Sequence, residues 1–484
     1  MEQQWKPLNA EETFAACEAL WANENARETV RQLYDEAYAA FDRQVMVLDD
    51  DPTGVQTVHD ISVVTDWERE TLERMTASSE RMFFVLTNSR SFSAAKTAQV
   101  HRNIAENACR AARKAGKQLM IVSRGDSTLR GHYPLETETL RRVLEENGHA
   151  PFSGEVLCPF FREGGRFTLN GVHYVKEGGQ LTPAAQTEFA KDKTFGYSHS
   201  SLAEYIEEKS KGAVSADQVI SISLRELRSL QWDKVEQKLL HAAGFHFIAA
   251  DALEEADVQA LAVILMRLMQ KGRSYMLRSA AAVPKVFGHV EDRPLLARNE
   301  MVDPASKVGG LVIVGSHVKK TTDQLHCLQA SDRPLSFIEF DVSGWAREGA
   351  LAQETRRVTA QAEAAMRQGK TAVVFTSRTL IAPQGASPEK MLEISVRISD
   401  AVTAVVSSLS FRPRFLIAKG GITSSDVGVK ALKVKKALVL GQAQPGIPVW
   451  KTGEESLFPG LSYIIFPGNV GTEGTLRAIV ETLC

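Results

Sequence analysis

The chain has 484 residues, 44% hydrophobic and 24% charged, values that exclude wholesale disorder and fit two large domains or about three ordinary ones. Its 57 Lys and Arg face 59 Asp and Glu, a net charge of -2, so no global field draws it to nucleic acid or to an anionic membrane. Residues 11–42 show helical spacing, with Phe14, Cys17, Leu20 and Trp21 and then Val30, Leu33, Tyr34, Ala37 and Phe41 recurring on one face. This stretch precedes the first strand and reads as a docked helical extension, residues 1–44.

From residue 45 onward, short apolar runs alternate with helical stretches. Strands are expected at 45–48, 61–65, 82–86, 119–122, 155–158, 219–222, 247–250 and 275–277, and helices at 94–115, 133–146, 201–211, 234–242 and 254–271. That rhythm predicts a mainly parallel α/β domain over 45–290. Residues 283–309 break it with Pro284, Pro294, Pro304 and Gly309-Gly310, and the connection between domains is placed here. The alternation resumes with strands at 311–314, 337–340, 371–375, 415–418, 437–440 and 463–466 and helices at 350–368, 388–409, 424–432 and 472–483. The expected fold is therefore two α/β domains with mainly parallel sheets around an inter-domain cleft, 45–290 and 305–484, plus the N-terminal helical extension. The five cysteines are scattered and lack zinc-ligand spacing, which fits free thiols in a reducing cytoplasm. Residues 1–21 lack a signal peptide's apolar core, and no apolar run is long enough to span a bilayer. A soluble cytoplasmic protein is expected.

Ligands of parallel sheets bind at the carboxyl ends of the strands, and those ends carry the chemistry here. The first strand runs into Asp49-Asp50-Asp51-Pro52-Thr53-Gly54, the third into Thr87-Asn88-Ser89-Arg90-Ser91, and the fourth into Ser123-Arg124-Gly125-Asp126-Ser127-Thr128-Leu129-Arg130-Gly131. Adjacent carboxylates repel unless a cation or substrate hydroxyls use them, and arginine grips a carboxylate bidentately. The three turns suit a small polyhydroxy acid. In the second domain Gly315-Ser316, Lys419-Gly420-Gly421-Ile422-Thr423-Ser424-Ser425 and Pro467-Gly468-Asn469-Val470-Gly471-Thr472 also follow strands. Glycines let backbone N–H groups approach phosphate, so these turns suit a nucleotide, with Ser424 or Ser425 as a cap for the next helix. Gly369-Lys370-Thr371 is a helix stop rather than a P-loop. The histidines, among them His132, His173 and His317, are dispersed and read as structural. Asp49-x-Asp51-x-Thr53 also matches the nucleophile motif of haloacid-dehalogenase-type sugar phosphatases, the enzymatic alternative, and a non-catalytic sugar-acid sensor is the other.

Taken in order, Leu48-Asp49-Asp50-Asp51-Pro52-Thr53-Gly54, Asn88-Ser89-Arg90, Asp126-Ser127-Thr128-Leu129-Arg130-Gly131, Gly315-Ser316, Gly420-Gly421-Ile422-Thr423, Pro445-Gly446 and Gly468-Asn469-Val470-Gly471 resemble the four-carbon acid sugar kinase family over about residues 45–484. The resemblance implies ATP- and Mg²⁺-dependent phosphorylation of the terminal hydroxyl of a threonate, erythronate or oxo-tetronate. It implies an acid-sugar-binding domain followed by a nucleotide-binding domain, and it leaves room for a homodimer. Carried over by motif, Asp50 and Asp51 would be catalytic and Arg90, Arg124, Asp126, Ser127 and Arg130 would bind the sugar acid. Ser316, Gly420, Gly421, Ile422, Thr423, Gly468 and Asn469 would bind ATP. The family's usual Ala-Asp-Asp-Leu-Thr-Gly is Asp-Asp-Asp-Pro-Thr-Gly here.

Overall fold

The computed structural model describes residues 5–242, 244–316, 318–378, 388–468 and 470–484, without the side chains of 388–392. The chain forms two compact units. One takes the residues up to Gly54 together with Asp66–Glu291, and the other takes Val55–Thr65 together with Asp292–Cys484.

The first unit is built on a parallel sheet in the order Ile220–Ile222, His246–Ala250, Gly154–Cys158, Tyr275–Ser279, Leu119–Arg124, Gln44–Asp49 and Met82–Leu86. Strands such as Met82–Leu86 and Leu119–Arg124 are buried along their whole length, as expected where helices cover both faces. Register aligns Asp49 with Leu86 and Arg124, and Arg124 with Ser279, so these strand ends share one rim. Helix Ala94–Ala115 shows how local signals set an element. Ser93 caps it by accepting the Lys96 N–H, Val100, Ile104, Ala108 and Ala111 form its buried stripe, and Gly116 ends it at φ +63.

A second, antiparallel sheet was not foreseen: Leu8–Asn9, Gln180–Pro183, Val172–Glu177 and Arg166–Leu169. The N-terminal extension also differs from the expected continuous helix. It forms Ala10–Glu18 and Ala26–Ala39, separated where Trp21 turns inward to donate to Glu254 Oε1 at 3.1 Å. Arg27 bridges Glu18 and Glu254. Arg228 grips Asp257 through Nε and Nη2, at 2.7 and 2.8 Å. Helix Ala26–Ala39 buries Val30, Tyr34 and Ala37 and packs on Glu255–Gln270.

The second unit has a mixed sheet. Strands Leu335–Phe340, Thr371–Thr376, Leu311–Val314, Leu416–Lys419 and Ser462–Phe466 are parallel. Ile447–Thr452, Lys436–Gln444 and Ile61–Val64 continue the sheet antiparallel. Ile61–Val64 thus belongs to the second unit, although its place in the chain suggested the first. Val314, Phe375, Lys419 and Phe466 are in register, which brings the turns after their strands to one rim. No helix among the described residues is long and apolar enough to cross a membrane.

Candidate functional site

On the rim of the first unit, Asp49 is the last residue of its strand. Its Oδ1 accepts from Arg124 Nη1 at 3.2 Å and from the Asp51 N–H at 3.4 Å. A Cβ on Gly54 would lie 2.0 Å from Asp49 Oδ2, so the turn closes over this carboxylate only with glycine there. Burial, opposed by Arg124 and reinforced by Asp50 and Asp51, pushes Asp49 up to about 7.

Asp50, also buried, takes Arg90 Nη2 and Nε at 2.6 and 3.1 Å and Arg124 Nη1 at 3.4 Å. Burial raises its pKa against the pull of the two arginines. Asp51 is different. Its Oδ1 accepts from the Thr53 N–H and Oγ1, at 2.8 and 2.5 Å, while among the described residues Oδ2 meets only Arg90 Nη1, at 3.4 Å, and the side chain keeps 19% of its exposure. Burial acts to raise it, but Arg90, Thr53 and Arg124 together outweigh that and hold the carboxyl below the ordinary carboxylate range. Asp51 is therefore the ionised, reachable carboxylate of the cluster.

The Asp126 turn forms the other side. Asp126 Oδ2 accepts from Thr128 Oγ1 and from Arg130 Nε at 2.8 Å, and Oδ1 lies 3.7 Å from Arg90 Nη1. Despite burial, Arg90 and Arg130 keep its pKa low. Ser127 is buried at the turn, and its carbonyl accepts from His173 Nε2 at 2.8 Å. Burial lowers His173 to about 4, so it is a neutral structural histidine.

Beneath these turns lies a layer that sequence reasoning missed. Arg278 Nη1 donates to Glu136 Oε2 at 2.6 Å and to Ser123 Oγ at 2.8 Å, and Ser89 Oγ donates to Glu136 Oε1 at 2.5 Å. A Cβ on Gly125 or Gly131 would come within 2.4 or 3.0 Å of Arg278 Nη2. The two glycines let the Asp126 turn rest directly on this guanidinium.

In the second unit Gly315, Ser316, Thr376 and Gly420-Gly421-Ile422-Thr423 line a cavity of ≈ 310 Å³, with Val342, Ile394, Ile398 and Val402 as an apolar wall and Ser395 and Ser399 beside it. Gly420 has φ +124, and a Cβ on Gly315 would sit 2.3 Å from Thr423 Oγ1, so bare backbone faces the cavity. The helix begins at Gly421, earlier than expected. Ser424 consequently lies inside it and does not cap it, its Oγ donating instead to Ala418 O at 2.8 Å. Ser316, Gly420, Gly421, Ile422 and Thr423 thus share one cavity. Gly468 lies beside Ser316 but not in the cavity wall. Asn469 and His317 lie outside the described residues.

Lys419 joins two of these turns. It is fully buried and donates to Pro467 O at 2.6 Å and Gly468 O at 3.2 Å, and burial, with Lys320, lowers it to about 7. From about pH 7 to pH 10 the unfolded chain holds this proton and the folded chain does not. Stability should therefore rise with pH in that window, by at most ~1.4 kcal/mol per pH unit. Lys419→Met should flatten the slope of unfolding free energy against pH, and an unchanged slope would assign the titration elsewhere.

A sugar-binding N-terminal domain matches residues 45–286, and a nucleotide-binding C-terminal domain matches residues 311–476. The chain belongs to the family made of these two domains, the four-carbon acid sugar kinase architecture also designated DUF1537. Among solved structures, Haemophilus influenzae protein HI1011 is 16% identical at a TM-score of 0.60, covering 91% of this chain and 100% of its own. A Salmonella typhimurium LT2 protein described as a candidate tRNA synthase is 16% identical at a TM-score of 0.64, covering 91% and 98%. These likenesses show the two-domain α/β fold. No curated protein matches the chain.

Proposed function

We propose that this protein is an ATP-dependent kinase that phosphorylates the terminal hydroxyl of a four-carbon sugar acid. The observation that carries this reading is Asp51, an ionised and reachable carboxylate set among arginines on the rim of the sugar-binding unit. The glycine-lined cavity of the nucleotide-binding unit suits ATP, with backbone at Gly420 and Gly421 for phosphate and the apolar wall for the base. Asp51 orients the acceptor hydroxyl and takes its proton. A loose phosphoryl-transfer transition state asks little basicity of that group, so a low-pKa carboxylate serves. Asp50 anchors Arg90 and Arg124. Among the described residues no three His, Cys, Asp or Glu side chains are grouped to hold a metal. Mg²⁺ would come with ATP, whose phosphates bind it directly. Free thiols and ATP use suit a cytoplasmic enzyme.

The phosphatase alternative needs the first aspartate of the motif as a free nucleophile. Asp49 is instead buried, bonded to Arg124 and covered by Gly54. The test is ADP release on mixing the full chain with ATP, Mg²⁺ and a panel of threonate, erythronate and oxo-tetronates. At least one acid should give turnover. Phosphate release from a sugar phosphate without ATP, and no ADP with any acid, would overturn the kinase reading.

A further inference from the structure

The arginines of the first unit differ in what they have left to offer. Arg90 already directs Nε, Nη1 and Nη2 at Asp50 or Asp51. Arg124 is 5% exposed, shares Nη1 between Asp49 and Asp50, and has a buried Nε with no hydrogen-bond partner among the described residues. An incoming acid would have to displace a built-in carboxylate from Arg90, and burial closes Arg124 to it. Arg130 commits Nε to Asp126 and Thr128, and its Nη1 reaches Asp192 only at 3.8 Å.

Arg166 comes from the first strand of the small antiparallel hairpin, 166–169. One terminal nitrogen donates to Gly164 O, while Nε is buried with no hydrogen-bond partner among the described residues. Its guanidinium carbon lies 5.3 Å from the centroid of the Phe189 ring, and that of Arg130 lies 5.1 Å from the same centroid. The charges acting on Arg166 are those of Asp126, Glu177 and Arg130, with Tyr197 also near. Asp126 offsets part of the charge of both guanidinium groups, but it bonds only Arg130 and leaves Arg166 with an unfilled buried donor, a cost that a second anion placed between the two would relieve.

We propose that Arg166, acting with Arg130 over Phe189, recognises the carboxylate of the sugar acid; the assignment rests on the kinase reading for the identity of that acid. Planar guanidinium and carboxylate groups match bidentately. Arg90 Nη1 lies 3.4 Å from Asp51 Oδ2 and 3.7 Å from Asp126 Oδ1, and Asp126 holds Arg130, so Asp51 and Arg130 belong to one linked chain of ion pairs on this rim.

The experiment is calorimetric titration of the full chain, without nucleotide, with threonate and erythronate and with the uncharged threitol and erythritol. Wild type should bind an acid more tightly than the matching alcohol. Arg166→Met should weaken acid binding by about 10–100-fold, the loss of one charged hydrogen-bonding partner, with alcohol binding changed less than about 2-fold and ADP binding retained. Arg166→Lys, which keeps the charge but loses the planar fork, should fall between and serves if the Met variant does not fold. Acid affinity unchanged in both variants, equal losses for acid and alcohol, or a wild type that prefers the alcohol would each overturn the assignment. The kinase reading fails separately, when wild type binds an acid yet releases no ADP with any of the panel.

Discussion

Asp51→Asn is expected to lower kcat by ~10²–10⁴-fold, the usual contribution of a positioned general base, while the protein stays folded and still binds ATP. The substitution keeps the Thr53 hydrogen bonds to Oδ1 in place and removes the charge that faces the rim through Oδ2. Because Arg90, Thr53 and Arg124 hold this carboxyl below its ordinary range against burial, wild-type turnover should not fall through Asp51 protonation until well into the acid region. Asp50→Asn should behave differently. It loosens both Arg90 and Arg124, so its loss should appear in thermal stability as well as rate. Steady-state kinetics and melting curves on both variants separate the roles. A near-wild-type kcat for Asp51→Asn would remove it from the reaction.

The largest expected loss of stability belongs to Arg278→Met. Glu136 is 1% exposed and bonded to Arg278 Nη1 at 2.6 Å, and the arginine holds it down at about 2 even though burial acts to raise it. Taking the arginine away leaves a buried carboxylate with Ser89 as its remaining close donor. Breaking such a pair costs about 3–5 kcal/mol. Adding Glu136→Gln should recover part of that loss, because no charge is then stranded. Denaturant unfolding of both single variants and the double variant checks this, and a double variant no more stable than Arg278→Met would show that the pair is not the source.

The parallel strands were legible because they are buried on both faces and read as unbroken apolar runs, as in Met82–Leu86 and Leu311–Val314. The strands of the small antiparallel sheet were harder. Val172–Glu177 is buried only over its first four residues and contains a charged end. A signal was nonetheless present: Asn170-Gly171, both at positive φ, is the dipeptide of a tight hairpin turn. The Asp49–Gly54 and Asp126–Gly131 turns could be found by chemistry at strand ends. Glu136 and Arg278 could not, since one lies in a helix and the other in a strand far along the chain, and only folding brings them together. The partners of the arginines were equally hidden. Sequence proximity groups Arg90 and Arg124 with the acidic loop, and only distances reveal which of its carboxylates each one bonds.

The path of the chain after Gly54 bears on how the molecule is made. Residues 55–65 leave the first unit to place Ile61–Val64 against Lys436–Gln444. A ribosome working at ~5–20 residues per second needs roughly 20–75 s for the ~370 residues between Val64 and its partner Lys436. The strands of the first unit's parallel sheet are all synthesised by Ser279, so during translation that unit can close around its own core long before Lys436–Gln444, the partner of Ile61–Val64, is made. The reverse order is barred, because Lys436–Gln444 cannot gain its second partner without a strand made near the start. Cutting the protein into halves at the linker would consequently part Ile61–Val64 from it and leave this nine-residue strand open to pairing with another molecule.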